Sequence, residues 1–167
     1  ADKGVQRACA ELGAECAYKG PTEITAAAQV KEINAAVQAG YNVLIVAAND
    51  KDALVPALKD AMDKGVTVVT YDSDVAQDGR SVFVNQASSE GIGQALAKSA
   101  SDIAGGAGDI AILSTTPDAT NQNVWIDFMK KELSAKYPNV KVVATAYGLD
   151  KPEESTTETQ GLIQKYP

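Results

Sequence analysis

Residues Val43-Leu44-Ile45-Val46-Ala47-Ala48 form an uninterrupted apolar run, and Asn49-Asp50 end it. A short run rich in β-branched residues and closed by turn formers reads as a central parallel strand, covered on both faces. On either side the pattern changes to helical spacing. Upstream, Val30, Ile33 and Val37 share one face of a helix with Thr22 or Thr25 as N-cap and Gly40 as its stop. Downstream, Leu54, Val55, Leu58 and Met62 lie on a helix over 52–64, closed by Gly65. A buried strand between two amphipathic helices is the core of a βαβ unit.

The same alternation extends outward. Val5, Ala8, Cys9 and Leu12 recur at helical spacing before Gly13, and 15–18 reads as a short strand ahead of the turn pair Gly20-Pro21. Strands are predicted at 66–70 and at 81–84, the second arriving without an intervening helix. A helix over 88–104 and the Gly105-Gly106-Ala107-Gly108 turn then lead into a second series: strand 109–114, helix 119–136, strand 140–146 and helix 152–165. Alternation of this kind gives an α/β doubly wound protein with parallel sheets flanked by helices, its crossovers right-handed. The helix-free connection near 81–86 marks a handover between two units, 1–86 and 87–167.

Composition removes several function classes. The 167 residues are 45% hydrophobic and 22% charged, which excludes a disordered chain. Their longest apolar stretches fall far short of the roughly 18 residues needed to cross a bilayer. Fifteen Lys and Arg against 22 Asp and Glu leave a net charge of -7, the wrong sign for phosphate-backbone binding, so no nucleic-acid partner is expected. There is no histidine, which eliminates serine–histidine and cysteine–histidine hydrolases and the commonest zinc ligand. The glycines at 105, 106 and 108 precede a strand and lack the lysine of a phosphate loop. No cofactor and no metal is expected.

In open parallel sheets, ligands bind beyond the carboxyl ends of the strands. That rule selects Asn49-Asp50, Tyr71-Asp72-Ser73-Asp74, and Thr115-Thr116-Pro117-Asp118 leading to Asn121-Gln122-Asn123. Carboxylates that accept from vicinal hydroxyls, with amides that both donate and accept, suit a polyhydroxy ligand. Asp50 and Asp52 read as helix caps, whereas Asp72 follows a strand away from any obvious helix start and reads as a ligand group. Asn121, Gln122 and Asn123 read either as first-turn surface residues or as ligand contacts. Trp125 reads first as core, with stacking on a sugar as the alternative, and Tyr71 offers a second stacking face. Cys9 and Cys16 read as buried free thiols; in an oxidising compartment they pair if their Cα atoms lie within about 7 Å.

At Gly20-Pro21-Thr22, Ala47-Ala48-Asn49-Asp50, Asp52-Ala53-Leu54-Val55-Pro56-Ala57-Leu58, Tyr71-Asp72-Ser73-Asp74, Ala119-Thr120-Asn121-Gln122-Asn123-Val124-Trp125 and Gln160-Gly161-Leu162-Ile163, the sequence resembles the type I periplasmic solute-binding proteins of sugar ABC transporters. Within that ribose-binding group it is most similar to the rhamnose-binding and autoinducer-2-binding proteins. The resemblance implies a two-lobed fold closing on a sugar, with Asp72 on one lobe, Asn121 and Gln122 on the other, and Asn49 as a further cleft amide. In the autoinducer-2 binders the first of the second-lobe pair is usually aspartate; Asn121 here favours rhamnose or a similar sugar.

It further implies a periplasmic or extracellular location, lipid-anchored in a Gram-positive source. The expected partners are a small-molecule sugar and a membrane permease, with no direct membrane insertion. Relative to the family, a first strand is expected before Ala1 and further strands after Pro167, so the chain reads as roughly the middle half of a binding protein. Alternative readings are an autoinducer-2 receptor, the effector-binding domain of a sugar-responsive transcriptional regulator and, last, an α/β enzyme.

Overall fold

The computed structural model describes residues 1–167. In chain order the elements are α1 (Asp2–Leu12), α2 (Ala26–Gln38), β1 (Val43–Val46), α3 (Val55–Asp63), β2 (Thr67–Tyr71), β3 (Val82–Val84), α4 (Ser89–Ile103), β4 (Gly108–Ser114), α5 (Thr120–Lys136), β5 (Val140–Tyr147) and α6 (Pro152–Lys165). They build a three-stranded parallel sheet, ordered β1-β2-β3, and a two-stranded parallel sheet, β4-β5. The β2–β3 connection contains only a 3₁₀ turn at Gln77–Gly79, in keeping with the helix-free stretch read from the sequence.

Local chemistry accounts for the helix ends. Thr25 is the N-cap of α2, its hydroxyl accepting from the Ala28 amide at 3.1 Å. Ser88 caps α4 in the same way through the Gly91 amide. Helix α3 begins at Val55, later than the sequence pattern places it. Asp50 Oδ1 instead accepts from the Asp52 and Ala53 amides, and this holds the preceding residues in a turn; Pro56 follows in the first helical turn, where no donor is needed.

Two apolar cores result. In the first, Leu54, Leu58 and Val68 are fully buried between helices α2 and α3 and the three-stranded sheet, beside Ile33, Leu44 and Val46. Each such leucine contributes about 2 kcal/mol by leaving water. The second gathers Ala97, Met129, Leu133 and Val140 where α4 and α5 meet the β4–β5 sheet. Gly93 lets α4 approach closely, because a Cβ there would stand 2.4 Å from Phe128 Cβ and 2.8 Å from the Met129 backbone nitrogen. Trp125, read first as core, is half-buried and belongs to neither cluster.

Three expectations are corrected. The segment 15–18 is not a strand: a strand exists only where a neighbour completes its ladder, and no strand of this chain lies beside it. Within residues 1–167, β1 lies at the edge of its sheet and is covered on one face, where a central strand covered on both was expected. Its Leu44 and Val46 are buried while Val43 and Ile45 are 50% and 60% exposed, because α2 and α3 occupy a single face. Cys9 and Cys16 are not free buried thiols but a disulfide, their Cα atoms 6.2 Å apart, joining the last turn of α1 to the segment after Gly13. Gly13, at φ 64, supplies the left-handed turn that brings the two together.

Candidate functional site

All five strands are parallel to their neighbours, so within each sheet the carboxyl ends open onto one edge, and the polar clusters selected from the sequence lie there. Asp72 directly follows β2 and adopts φ 58, a left-handed conformation unusual for a residue with a Cβ. Asn121 Nδ2, from the first turn of α5, donates to Asp72 Oδ2 at 3.3 Å across 49 positions of sequence. Gln86 Nε2, just beyond β3, donates to Asp72 Oδ1 at 2.5 Å. The carboxylate therefore stands between two amides, one from each series of elements.

Asn121 and Gln122 are fixed by the junction from which they project. No side chain caps α5 at Ala119; Asn121 Oδ1 accepts instead from the Gln122 amide at 2.8 Å. Gln122 Oε1 accepts from Ser114 Oγ at 2.7 Å and from the Thr115 amide at 3.0 Å, tying the helix start to the end of β4. Its carbonyl is thus engaged, which leaves its NH₂ group as the donor of that side chain. Asn123 donates to the Pro117 carbonyl at 2.7 Å, so of these three amides only Asn121 is joined to Asp72.

Asn49 follows β1 and is positioned through its backbone. Gln29 of α2 donates to the Ala47 carbonyl at 2.6 Å and accepts from the Asn49 amide at 2.9 Å, a clamp that does not involve the Asn49 side chain. Asn49 is joined by no hydrogen bond to Asp72. Asp74 has a different task. Its Oδ1 lies 2.6 Å from Arg80 Nε and also accepts from the buried Thr70 hydroxyl, so it braces the loop carrying Asp72. The guanidinium in turn lies over the Phe83 ring. The concentration of charge at Asp72-Ser73-Asp74 is thereby resolved into one carboxylate held by a cation and another held by amides.

Tyr71 is half-buried beside this cluster. Burial, and then the nearby Tyr18 and Asp72, raise its phenol above the ordinary 10.0. Gln86 and Tyr18 were not singled out from the sequence. For Gln86 the signal was present, since the rule that selected residues after β1 and β2 equally selects Asn85-Gln86 after β3. A separate open groove of about 400 Å³, between β5 and α6 and lined by Tyr147, Leu162 and Tyr166 among others, contains none of these residues. No three His, Cys, Asp or Glu side chains converge, and no helix is long and apolar enough to cross a membrane.

Parallel sheets flanked by helices, with strand ends from both series turned to one carboxylate, have the architecture of the type I periplasmic binding fold. The chain belongs to the periplasmic binding protein domain family, which matches residues 1–167. Proteins of this family bind solutes and are not enzymes. The structure is similar to that of an ABC transporter solute-binding protein from Clostridium phytofermentas with bound L-rhamnose: 40% identity and TM-score 0.89, over 92% of this chain and 48% of that one. A sugar ABC transporter structure from Actinomyces odontolyticus is 45% identical, with TM-score 0.66, over 99% of this chain and 54% of the other. LsrB from Clostridium saccharobutylicum, in complex with AI-2, is 32% identical with TM-score 0.90, again over 99% and 54%. The chain spans about half the length of these structures.

Proposed function

We infer that this chain is part of the substrate-binding component of a sugar ABC transporter, which takes rhamnose or a similar monosaccharide between two lobes, 1–86 and 87–167. Asp72 and Asn49 serve the ligand from the first lobe, Asn121 and Gln122 from the second. The observation that carries this reading is the Asp72–Asn121 hydrogen bond, which puts an acceptor of one series within reach of a donor of the other. A hydroxyl placed between them satisfies both, donating to the carboxylate and accepting from the amide. The similarity to a protein solved with L-rhamnose supports the choice of sugar. The role is that of a receptor outside the cytoplasmic membrane, periplasmic or extracellular, handing its sugar to a permease.

A second reading, an autoinducer-2 receptor, is supported by the likeness to LsrB in complex with AI-2. Asn121 weighs against it, because the resemblance places an aspartate there in such binders. Calorimetry on the full-length parent, titrated with L-rhamnose, D-arabinose and AI-2, separates the two. L-rhamnose is expected to bind and Asp72→Ala to abolish that binding; undiminished binding by the variant removes Asp72 from the site.

A further inference from the structure

Gln86 sits in the crossing segment between β3 and α4, outside regular structure and exposed. The strand register nevertheless brings it to Asp72. Val84 pairs with Tyr71, so the segment Asn85-Gln86 emerges beside Asp72 at the sheet edge. The two bonds to the carboxylate are unequal. Gln86 reaches Oδ1 at 2.5 Å, whereas Asn121 reaches Oδ2 only at 3.3 Å, beyond the usual N–H···O range. A close, charge-assisted bond within one series of elements is hard to displace, and a stretched bond from the other series is exchanged readily for a better donor.

We propose that Gln86 is a positioning residue: it holds Oδ1 of Asp72 and so reserves Oδ2 for a single sugar hydroxyl. This rests on the sugar-binding reading and sharpens it. A carboxylate with both oxygens open accepts a vicinal pair of hydroxyls, but one braced on Oδ1 presents a directed acceptor on the side facing Asn121. The brace also ties the ligand-accepting group to the segment that joins the two lobes, since Gln86 is part of that segment. Rotation of the carboxylate about its own side chain is stopped, and the ligand hydroxyl replaces Asn121 rather than Gln86.

The test uses the full-length parent with L-rhamnose as probe and the variants Gln86→Ala, Gln86→Glu and Gln86→Lys. Alanine removes the donor and is expected to weaken binding about tenfold, the size of one lost hydrogen bond to a charged group. Glutamate sets a carboxylate against Asp72 and weakens binding further. Lysine keeps a donor and stays within about threefold of the original. Melting temperatures stay the same throughout, because the side chain is exposed. Wild-type affinity in the alanine and glutamate variants, or a lysine variant as weak as glutamate, overturns the proposal.

Nuclear magnetic resonance of the side-chain amides judges the brace without any sugar. In ligand-free protein the Gln86 NH₂ signal is expected away from its random-coil position and to return there in Asp72→Ala. On adding L-rhamnose the Asn121 signal moves and the Gln86 signal stays. A random-coil Gln86 signal in the unmodified protein overturns the brace. Absence of any L-rhamnose binding, with that signal still displaced, overturns the sugar reading and leaves the brace standing.

Discussion

Asp72 and Asn121, 49 positions apart, meet through Oδ2 and Nδ2 at 3.3 Å, and theirs is a side-chain hydrogen bond between residues flanking the two sheets. An amide facing a carboxylate is attractive; a second carboxylate in the same place is repulsive. Asn121→Asp is therefore expected to part the two lobes of the ligand-free parent and, on the proposed sugar-binding function, to weaken L-rhamnose binding at least tenfold. Small-angle scattering should show a larger radius of gyration. An unchanged radius together with unchanged affinity contradicts the contact.

The α4–α5 packing offers a contrast between two glycines of one helix. A Cβ on Gly93 meets Phe128 and the Met129 backbone at under 3.0 Å, and backbone cannot step aside as a flexible side chain can. Gly93→Ala is expected to cost about 3 kcal/mol as the helices are forced apart. At Gly91 the nearest atom to an added Cβ is 3.5 Å away, an ordinary contact, so Gly91→Ala is expected to gain about 0.5 kcal/mol from reduced backbone freedom in the unfolded chain. Urea unfolding of the two variants gives both signs; equal midpoints contradict the close approach.

Helix α1 has no buried residue, so packing does little to hold it, and the Cys9–Cys16 disulfide is its covalent tether. Replacing both cysteines with serine is expected to raise amide hydrogen exchange across Asp2–Leu12 toward unprotected rates while exchange in β1 and β2 stays slow. The closed loop is short, which limits the stabilisation from chain entropy to about 2–3 kcal/mol. Slowed exchange in β2 lost together with that in α1 would mean that the helix is integral to the first core.

Tyr71 makes stability depend on alkaline pH. Its phenol titrates above 10.0 in the folded chain, principally because it is buried, so folding favours the neutral form. This contribution is complete below about pH 10 and is lost as pH rises through the raised value, where the unfolded chain ionises first. Ultraviolet titration of the six tyrosines should show a late component that Tyr71→Phe removes. Tyr71→Phe should also flatten the fall in stability above pH 10.

Much of the fold is legible because its signals are local. The apolar run beginning at Val43, the cap at Thr25 and the stops at Gly40 and Gly65 each act within a few residues, and the observed elements follow them. What escapes is whatever depends on a distant neighbour. The segment 15–18 carries a strand pattern but has no partner, and Cys9 and Cys16 pair because a left-handed turn at Gly13 folds one back on the other. The rule that ligands bind beyond the carboxyl ends of strands selects 72, 121 and 122 from the sequence alone. That Asp74 is claimed by Arg80, or that Gln86 reaches Asp72, follows only from the register of β2 against β3.

The left-handed backbone at Asp72 has a further consequence. At φ 58 the chain prefers glycine, with asparagine and aspartate the residues with side chains that adopt it most readily, and here the carboxylate also stands beside a half-buried tyrosine. Substitution by asparagine would keep that backbone and remove the negative charge, whereas glycine would also remove both acceptors offered to Gln86 and Asn121. Asp72→Asn is therefore the change that separates the charge of the carboxylate from the shape of the loop that carries it.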